Sequence, residues 1–201
     1  MTDEAAFVGD IHGRVDVLQG MLTRLANIPV PLVFLGDYVD RGPDSSRVID
    51  TLIALAAGRQ AETVFLRGNH DEAMLRAMSE DDSIDKFLRM GGAPTISSYI
   101  EGASHDVVAH FRRAVPSTHR AFLSATLPSW TNGSVLAVHD ARTVPLGRSF
   151  LVAGHSARVG LVPTLGANYA LIDTGCGTLP RGRLTCFRWP SKEWFQSSSE
   201  A

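Results

Sequence analysis

Short apolar runs alternating with helical stripes predict an α/β fold for this chain, and two features carry that expectation. Between Ala5 and Met78 the order strand, charged loop, helix occurs three times, which calls for a parallel sheet with helical crossovers. From Pro128 onward the pattern changes to short apolar runs parted by turn residues, which read as strands of a second sheet.

Ala5 to Gly9 is the first strand and runs into "GDIHG". Arg14 to Ala26 follows, with Val15, Leu18, Met21, Leu22 and Leu25 on one helical stripe. "PLVFLG" is the second strand and "GDYVDRG" its loop. Ser45 to Ala57 is the second helix, apolar at Val48, Ile49, Leu52, Ile53 and Leu55, with Asp44 or Ser45 as its cap. "TVFLRG" is the third strand, and "HDEAMLRAM" opens a third helix. Glu80 to Phe122 reads as mostly helical, broken by glycines at "MGGAP" and "EGAS", with a helix start at Ser117. "SVLAVH", "SFLVAGH", "NYALIDTG" and "RLTCFRW" are the later strands, all assigned to the second sheet. The tail "SKEWFQSSSEA" is expected to fray unless Trp194 and Phe195 dock. No repeat or interior linker interrupts the chain, so a single domain over residues 1–201 is expected.

Composition narrows the function classes. The chain is 44% hydrophobic and 20% charged, a balance ordinary for a soluble globular protein. A net charge of −2 gives no electrostatic ground for nucleic-acid or membrane-surface binding. Of 19 basic residues only Lys86 and Lys192 are lysines. The arginine fork suits bidentate contact with phosphate or carboxylate, although biased genomic composition produces the same skew. Cys176 and Cys186 make neither a CxxC metal pair nor a disulfide framework. The N-terminal "MTDEAAFVGD" is acidic and short of apolar residues for a signal peptide. No apolar run reaches the ~18 residues of a spanning helix, and a cytoplasmic location is expected.

In open α/β sheets, ligands bind beyond the carboxyl ends of the strands. The strand ends here deliver Asp10, His12, Asp37, Asp40, Arg41, Asn69, His70, His139 and His155. Loop solvation does not account for a polar cluster gathered from such scattered positions. Carboxylate and imidazole donors without thiolates suit divalent first-row metals. The glycines beside them permit sharp turns and close backbone approach. Singly the motifs are weak: a lone "GDxHG" serves as a turn, and a lone His139 as a satisfied core histidine. Their joint placement on strand ends is the signal.

"GDIHG", "GDYVDRG" and "GNHD", followed by "VH" and "GH", resemble the PPP-type metallophosphoesterases. The nearest likeness is to bacterial and phage serine/threonine protein phosphatases; diadenosine tetraphosphate hydrolases share the same core. "LRMGGAPTISSY" and "LIDTGCGTLPRGRLTCFRW" extend the resemblance over nearly the whole chain. It implies a four-layer α/β/β/α calcineurin-like metallophosphoesterase sandwich with a dinuclear site at the loop edges of its sheets. Asp10 and His12 would hold the first metal, Asp37 would bridge both, and Asn69, His139 and His155 would complete the second. His70 would be the general acid, oriented by Asp40, while Arg41 and Asn69 would contact the substrate. The cofactor would be two divalent ions, Mn²⁺ first, with Fe or Zn as alternatives. The reaction would be single-step attack by metal-activated hydroxide, with no phosphoenzyme. Its substrates would be phosphoserine or phosphothreonine in proteins, with phosphotyrosine or small phosphoesters also open. Two other readings stand beside this one: hydrolysis of dinucleoside polyphosphates or other nucleotides, and a metal-binding module with little catalysis.

General chemistry supports these roles. A carboxylate has two oxygens and so can hold two cations at the ~3.5–4 Å separation of two-metal sites. A histidine whose imidazolium is stabilised by a carboxylate can give a proton to a departing alkoxide. An arginine neutralises charge on the equatorial phosphoryl oxygens.

Three departures from the family pattern stand out. "GNHD" replaces "GNHE", and Asp71 is not expected to be a ligand. "VHDA" puts Asp140 after His139, either as a turn residue or as a group that supports the metal site. Only Asp140 to Gly154 separates His139 from His155, where the family carries a longer insertion with a "W-x-R"-like segment whose arginine also grips phosphate. Arg142 is the substitute considered, Arg148 being the other arginine of the interval, and a solvated loop arginine is the competing reading. The shortened segment should leave the cleft open on one side. His105, His110 and His119 are read as structural or exposed, "HFRR" as a solvated helix face, and Trp130, Trp189 and Trp194 as packing. Cys176 is read as a buried filler and Asp173 as closing a strand end.

Overall fold

A computed structural model describes residues 3–79, 83–102, 105–145 and 147–199. The threefold alternation appears as β1 (Ala5–Val8), α1 (Val15–Leu25), β2 (Leu32–Phe34), α2 (Ser45–Gly58), β3 (Thr63–Phe65) and α3 (Asn69–Ser79). β1 pairs with β2 and β2 with β3, both in parallel, as helical crossovers require. The middle of the chain forms α4 (Ile84–Arg89), α5 (Ala93–Tyr99), α6 (Val107–Ala114) and α7 (Ser117–Ser124). The "MGGAP" glycines separate α4 from α5, and α7 starts at Ser117. The break expected at "EGAS" includes Ala103 and Ser104, which lie outside the described residues.

The later strands are β4 (Ser129–Thr131), β5 (Val135–Val138), β6 (Phe150–Ala153), β7 (Thr164–Leu165), β8 (Tyr169–Leu171), β9 (Leu184–Trp189) and β10 (Trp194–Ser197). The second sheet runs β4-β5-β6-β8-β7. The sequence pattern places β9 in that sheet, and the structure corrects this. β9 pairs antiparallel with β1, Ala5 opposite Trp189 and Val8 opposite Cys186, so the first sheet runs β10-β9-β1-β2-β3. The turn closed by Thr174 and Arg183 carries the chain from one sheet to the free edge of the other. The tail does not fray over the described residues. β10 pairs with β9, the Arg24 guanidinium lies 4.6 Å over the Phe195 ring, and its Nη1 donates to Gln196 O at 2.6 Å.

Strand alternation divides the core. Ala6, Val8, Leu32 and Phe34 face the helices, where they meet Leu18, Met21, Ile49, Leu52, Met74 and Phe111. Ala5, Phe7, Val33 and Leu35 face the second sheet and meet Val135, Ala137, Phe150, Val152, Ala170 and Ile172. Trp130 and Trp189 close the ends of this inter-sheet layer, as their packing reading expected. On the outer face of the second sheet the described residues place a 3-10 turn, Ala141–Thr143, over Val138, Leu151 and Ala153. The short Asp140–Gly154 connection has no length for a longer helical cover. No helix among the described residues is long and apolar enough to cross a membrane.

Candidate active site

The carboxyl ends of β1, β2, β3, β5 and β6 meet at one edge. Their loops are stitched by backbone bonds: Ile11 N and His12 N donate to Asp37 O at 3.1 and 2.9 Å, and Gly13 N to Tyr38 O at 2.9 Å. Asp71 fixes the second loop from beneath. Its buried carboxylate accepts from Asp37 N (2.8 Å), Tyr38 N (3.0 Å) and Gly68 N (2.9 Å), so it faces backbone amides.

The backbone here is bent against ordinary preference. His12, Asp37, Asp40, Arg41 and His155 all have positive φ, from 47° to 71°. Residues with a Cβ adopt this region at a cost of order 1–3 kcal/mol each and keep it where the surroundings dictate. Five of the eight non-glycine residues with positive φ among the described residues are thus expected site residues, the others being Leu161, Arg181 and Lys192.

The side chains converge. His12, Asp37 and His70 form one trio of donors, and Asp37, His139 and His155 a second, with the donor atoms of each within 4.8 Å of one another. Asp37 belongs to both. Asn69 Oδ1 lies 3.0 Å from His139 Nε2 and 2.8 Å from His155 Nδ1. Asp10 accepts from the His155 backbone N at 3.1–3.2 Å.

The histidine tautomers test whether metal fits. His12 Nδ1 and His139 Nδ1 each lie 2.9 Å from a backbone carbonyl, Val39 O and Leu35 O, which only an N–H can satisfy. In the neutral ring Nε2 then carries a lone pair. Those two nitrogens face Asp37 Oδ2 at 3.6 and 3.4 Å. Lone pairs opposed to a carboxylate oxygen need a cation or a proton between them. A carbonyl bond that fixes the tautomer of a ligating histidine is the usual support of a metal site.

Electrostatics agree. Burial, then Asp173 and Asp37, push the Asp10 carboxyl well above the usual range. Burial also opposes charge on Asp37, but His139, His12 and His70 hold it below that range. Burial lowers His12 to about 4, whereas at His139 the Asp37 charge outweighs burial and raises the ring to about 10. Without metal, the cluster thus takes up a proton where a cation would serve.

Asp10 belongs to neither trio, and His70, which belongs to the first, turns its Nδ1 to Asp40 Oδ2 at 2.7 Å. Arg41 Nη2 is 3.4 Å from His70 Nε2, and its Nη1 donates to Thr178 Oγ1 at 3.2 Å. Arg142 closes on Asp140 and His155 at the cavity wall. Its Nε and Nη2 donate to Asp140 at 2.8–3.1 Å, and Nη2 reaches His155 Nε2 at 2.5 Å. Asp140 accepts from Arg142 N as a turn residue would, and its Oδ2 also stands 3.6 Å from His155 Nε2. The three remaining histidines lie elsewhere; His119 is buried between Tyr99 and Asp50. Cys176 is buried, with Sγ 3.3 Å from Ile11 O, and Asp173 accepts from Gly175 N.

Sequence reasoning missed Thr178 and Thr95, whose Oγ1 donates to Asp40 Oδ1 at 2.8 Å. Thr95 lies within the quoted "LRMGGAPTISSY", and nothing in its local pattern marks it. Two cavities flank the cluster. One of about 590 Å³ touches Asn69, His139, His155, Arg67 and Thr143; the other, about 420 Å³, touches Arg41, Thr178, Gly177 and Arg14.

The sequence profile of the calcineurin-like phosphoesterases matches residues 5–159. A symmetrical bis(5'-nucleosyl)-tetraphosphatase of Ralstonia nicotianae is 36% identical over 141 residues, 67% of this chain and 46% of that protein. Another, of Delftia acidovorans, is 29% identical over 137 residues, 65% of this chain and 47% of that one. The chain thus spans about half the length of the curated relatives it matches. Among solved structures, a candidate diadenosine tetraphosphatase aligns with TM-score 0.70 at 17% identity, over 100% of this chain and 95% of that one. A serine/threonine phosphatase of Saccharomyces cerevisiae aligns with TM-score 0.56 at 14% identity, over 98% of this chain and 80% of that one. At such identities the structural likenesses establish the fold alone. With the profile covering most of the chain, and two sheets carrying a donor cluster at their shared edge, the protein belongs to the calcineurin-like metallophosphoesterase family.

Proposed function

We propose that this chain is a metal-dependent phosphohydrolase that cleaves dinucleoside polyphosphates. The observation that carries the hydrolase reading is the pair of donor trios sharing Asp37, with Asp40 and Arg41 against the His70 of the first. The curated relatives favour the dinucleoside substrate over the phosphoprotein first expected. The flanking cavities support it, since a dinucleoside polyphosphate needs room on both sides of the phosphorus attacked.

In this reading Asp10, His12 and Asp37 hold one divalent ion, and Asp37, Asn69, His139 and His155 the other. The oxygen and imidazole set suits Mn²⁺, with Fe and Zn as alternatives. Such a pair, when bound, supplies a strong water-derived nucleophile at neutral pH and neutralises phosphoryl charge. The chain's own groups do the rest. Arg41 offers its guanidinium to the equatorial oxygens, and Asn69 stands at the cavity wall. As the imidazolium, His70 presents Nε2–H to the leaving oxygen while Asp40 accepts from Nδ1–H, so the proton moves from Nε2 as the P–O bond breaks and leaves the neutral Nδ1–H ring. Water provides the new P–O bond, and the departing oxygen keeps the bonding pair. Symmetrical cleavage of a tetraphosphate would give two nucleoside diphosphates. Arg142, held by Asp140 and 2.5 Å from His155 Nε2, is given the role of holding Asp140 in this reading, and phosphate is left to Arg41.

A second reading, hydrolysis of phosphoserine or phosphothreonine esters, is favoured by the buried His70–Asp40 pair. An alkoxide is a far stronger base than a departing diphosphate and needs that proton more. Metal-loaded protein given diadenosine tetraphosphate and a phosphopeptide panel separates the two. We expect ADP as the faster product; phosphate released from peptides without ADP would replace this reading by the second. No turnover of either with full metal loading would leave a binding module.

A further inference from the structure

We propose that Thr95, on the first turn of α5, is the positioning residue that fixes which oxygen of Asp40 serves His70. The inference rests on the proposed role of the His70–Asp40 pair. The "MGGAPT" turn reaches the site at two points. Gly91 O accepts from Arg41 N at 3.0 Å. Thr95 Oγ1 accepts from Asp40 N at 2.8 Å and donates to Asp40 Oδ1 at 2.8 Å. Thr95, Asp40 and Ser45 are fully buried, so water does not replace these bonds.

Counting protons gives the network a direction. A threonine hydroxyl has one hydrogen, and Thr95 commits it to Asp40 Oδ1. Ser45 Oγ, 2.8 Å from Thr95 Oγ1, must then donate to it, and Ser45 Oγ also accepts from Asp40 N at 3.2 Å. With Oδ1 tied to Thr95, the carboxylate is turned so that Oδ2 meets His70 Nδ1–H at 2.7 Å. With Nδ1 anchored on Asp40, His70 Nε2 points toward Arg41 Nη2, 3.4 Å away, where it can carry the second proton of the imidazolium. Deleting the Thr95 hydroxyl leaves a buried oxygen without a donor, and the carboxylate is free to rotate or to hold its own proton.

The test separates positioning from mere stability. Thr95→Val keeps the side-chain shape and removes the hydroxyl; Thr95→Ser keeps the hydroxyl. Phenyl phosphate has a basic leaving group that needs the acid, and dinitrophenyl phosphate has one that does not. Thr95→Val should lose about tenfold or more in kcat/KM on the first and less than about twofold on the second, with Thr95→Ser near wild type. His70→Asn should show the same pattern more strongly. If His70→Asn lowers both substrates alike, the acid reading of His70 fails. If it discriminates and Thr95→Val lowers both alike, the Thr95 inference fails. Long-range proton–nitrogen spectra of the zinc-loaded protein read the tautomer without turnover. At a pH where its ring is neutral, His70 should be in the Nδ1–H form in wild type and Thr95→Ser and mixed in Thr95→Val; an unchanged Thr95→Val spectrum overturns the proposal.

Discussion

Adding one methyl group at Gly68 should empty the site while leaving the sheets folded. A Cβ there would stand 2.0 Å from Asp37 Oδ1 and 2.3 Å from Asp37 N, against an ordinary contact of 3.4–4 Å. Neither neighbour can yield cheaply, because Asp37 N is held by Asp71 and Asp37 Oδ1 accepts from His70 N at 3.0 Å. The shared aspartate must therefore move by about 1 Å or more, a misplacement that costs roughly a hundredfold in rate in organised sites. Gly→Ala gains about 0.4–1 kcal/mol through the unfolded chain where the space exists. Overpacking costs about 1–3 kcal/mol, so the clash wins here. Gly58→Ala is the control: nothing lies within 4 Å of its Cβ, and the entropic gain should stand alone. Metal content after gel filtration, thermal melting and p-nitrophenyl phosphate turnover together decide the matter. Gly68→Ala should bind neither ion tightly and turn over about a hundredfold slower. A Gly68→Ala protein that loads two ions and keeps half the wild-type rate would refute the placement of Asp37.

Gly154→Ala puts its Cβ 2.2 Å from Asp10 Oδ1; it should weaken one ion and spare the other, and elemental analysis showing equal loss of both would count against the assigned ligand sets. Arg41→Ala should lower p-nitrophenyl phosphate turnover by roughly a hundredfold or more; an unaffected variant removes its clamp role. In the metal-free protein, burial and then Asp37 raise Asp71 to about 7, and Asp37 raises His139 to about 10 against the pull of burial. Both lie above their unfolded values, so each favours folding at low pH and loses that contribution as pH rises, Asp71 from about 4 to 7 and His139 from about 6.5 to 10. His12, lowered by burial to about 4, gains stability between about pH 4 and 6.5 and offsets Asp71 there, so the melting temperature of chelator-treated protein should fall steadily only above about pH 6.5, where His139 acts; a flat profile there would show that the His139 shift is absent.

The site is easier to read from the sequence than the sheet order. Asp10, Asp37, Asn69, His139 and His155 each follow an apolar run, and a strand end fixes where its next residues go. The glycine reading also holds in detail, since Gly68 and Gly154 are where backbone and carboxylate nearly touch. β9 is misplaced by its sequence pattern because it is buried on both faces: Leu184 and Cys186 face the helices and Phe187 the second sheet. Such a run has no polar face to say which sheet it joins. The free edge of β1, a long-range property, decides it. Fraying or docking of the tail stays open in the sequence, because the docking of β10 rests on its pairing with β9 and on Arg24 at the far end of α1, with Phe195 under the guanidinium and Trp194 left exposed. Thr95 lies 55 positions from Asp40, and a hydroxyl on an amphipathic helix carries no periodic mark of a buried partner.

The central claim is that Asp37 serves two cations at once. Anomalous diffraction from crystals grown with Mn²⁺ tests it directly. Two peaks ~3.5–4 Å apart are expected, each contacting an Asp37 oxygen, one also against His12 and the other against His139 and His155. A single peak, or a pair that leaves Asp37 untouched, would contradict it.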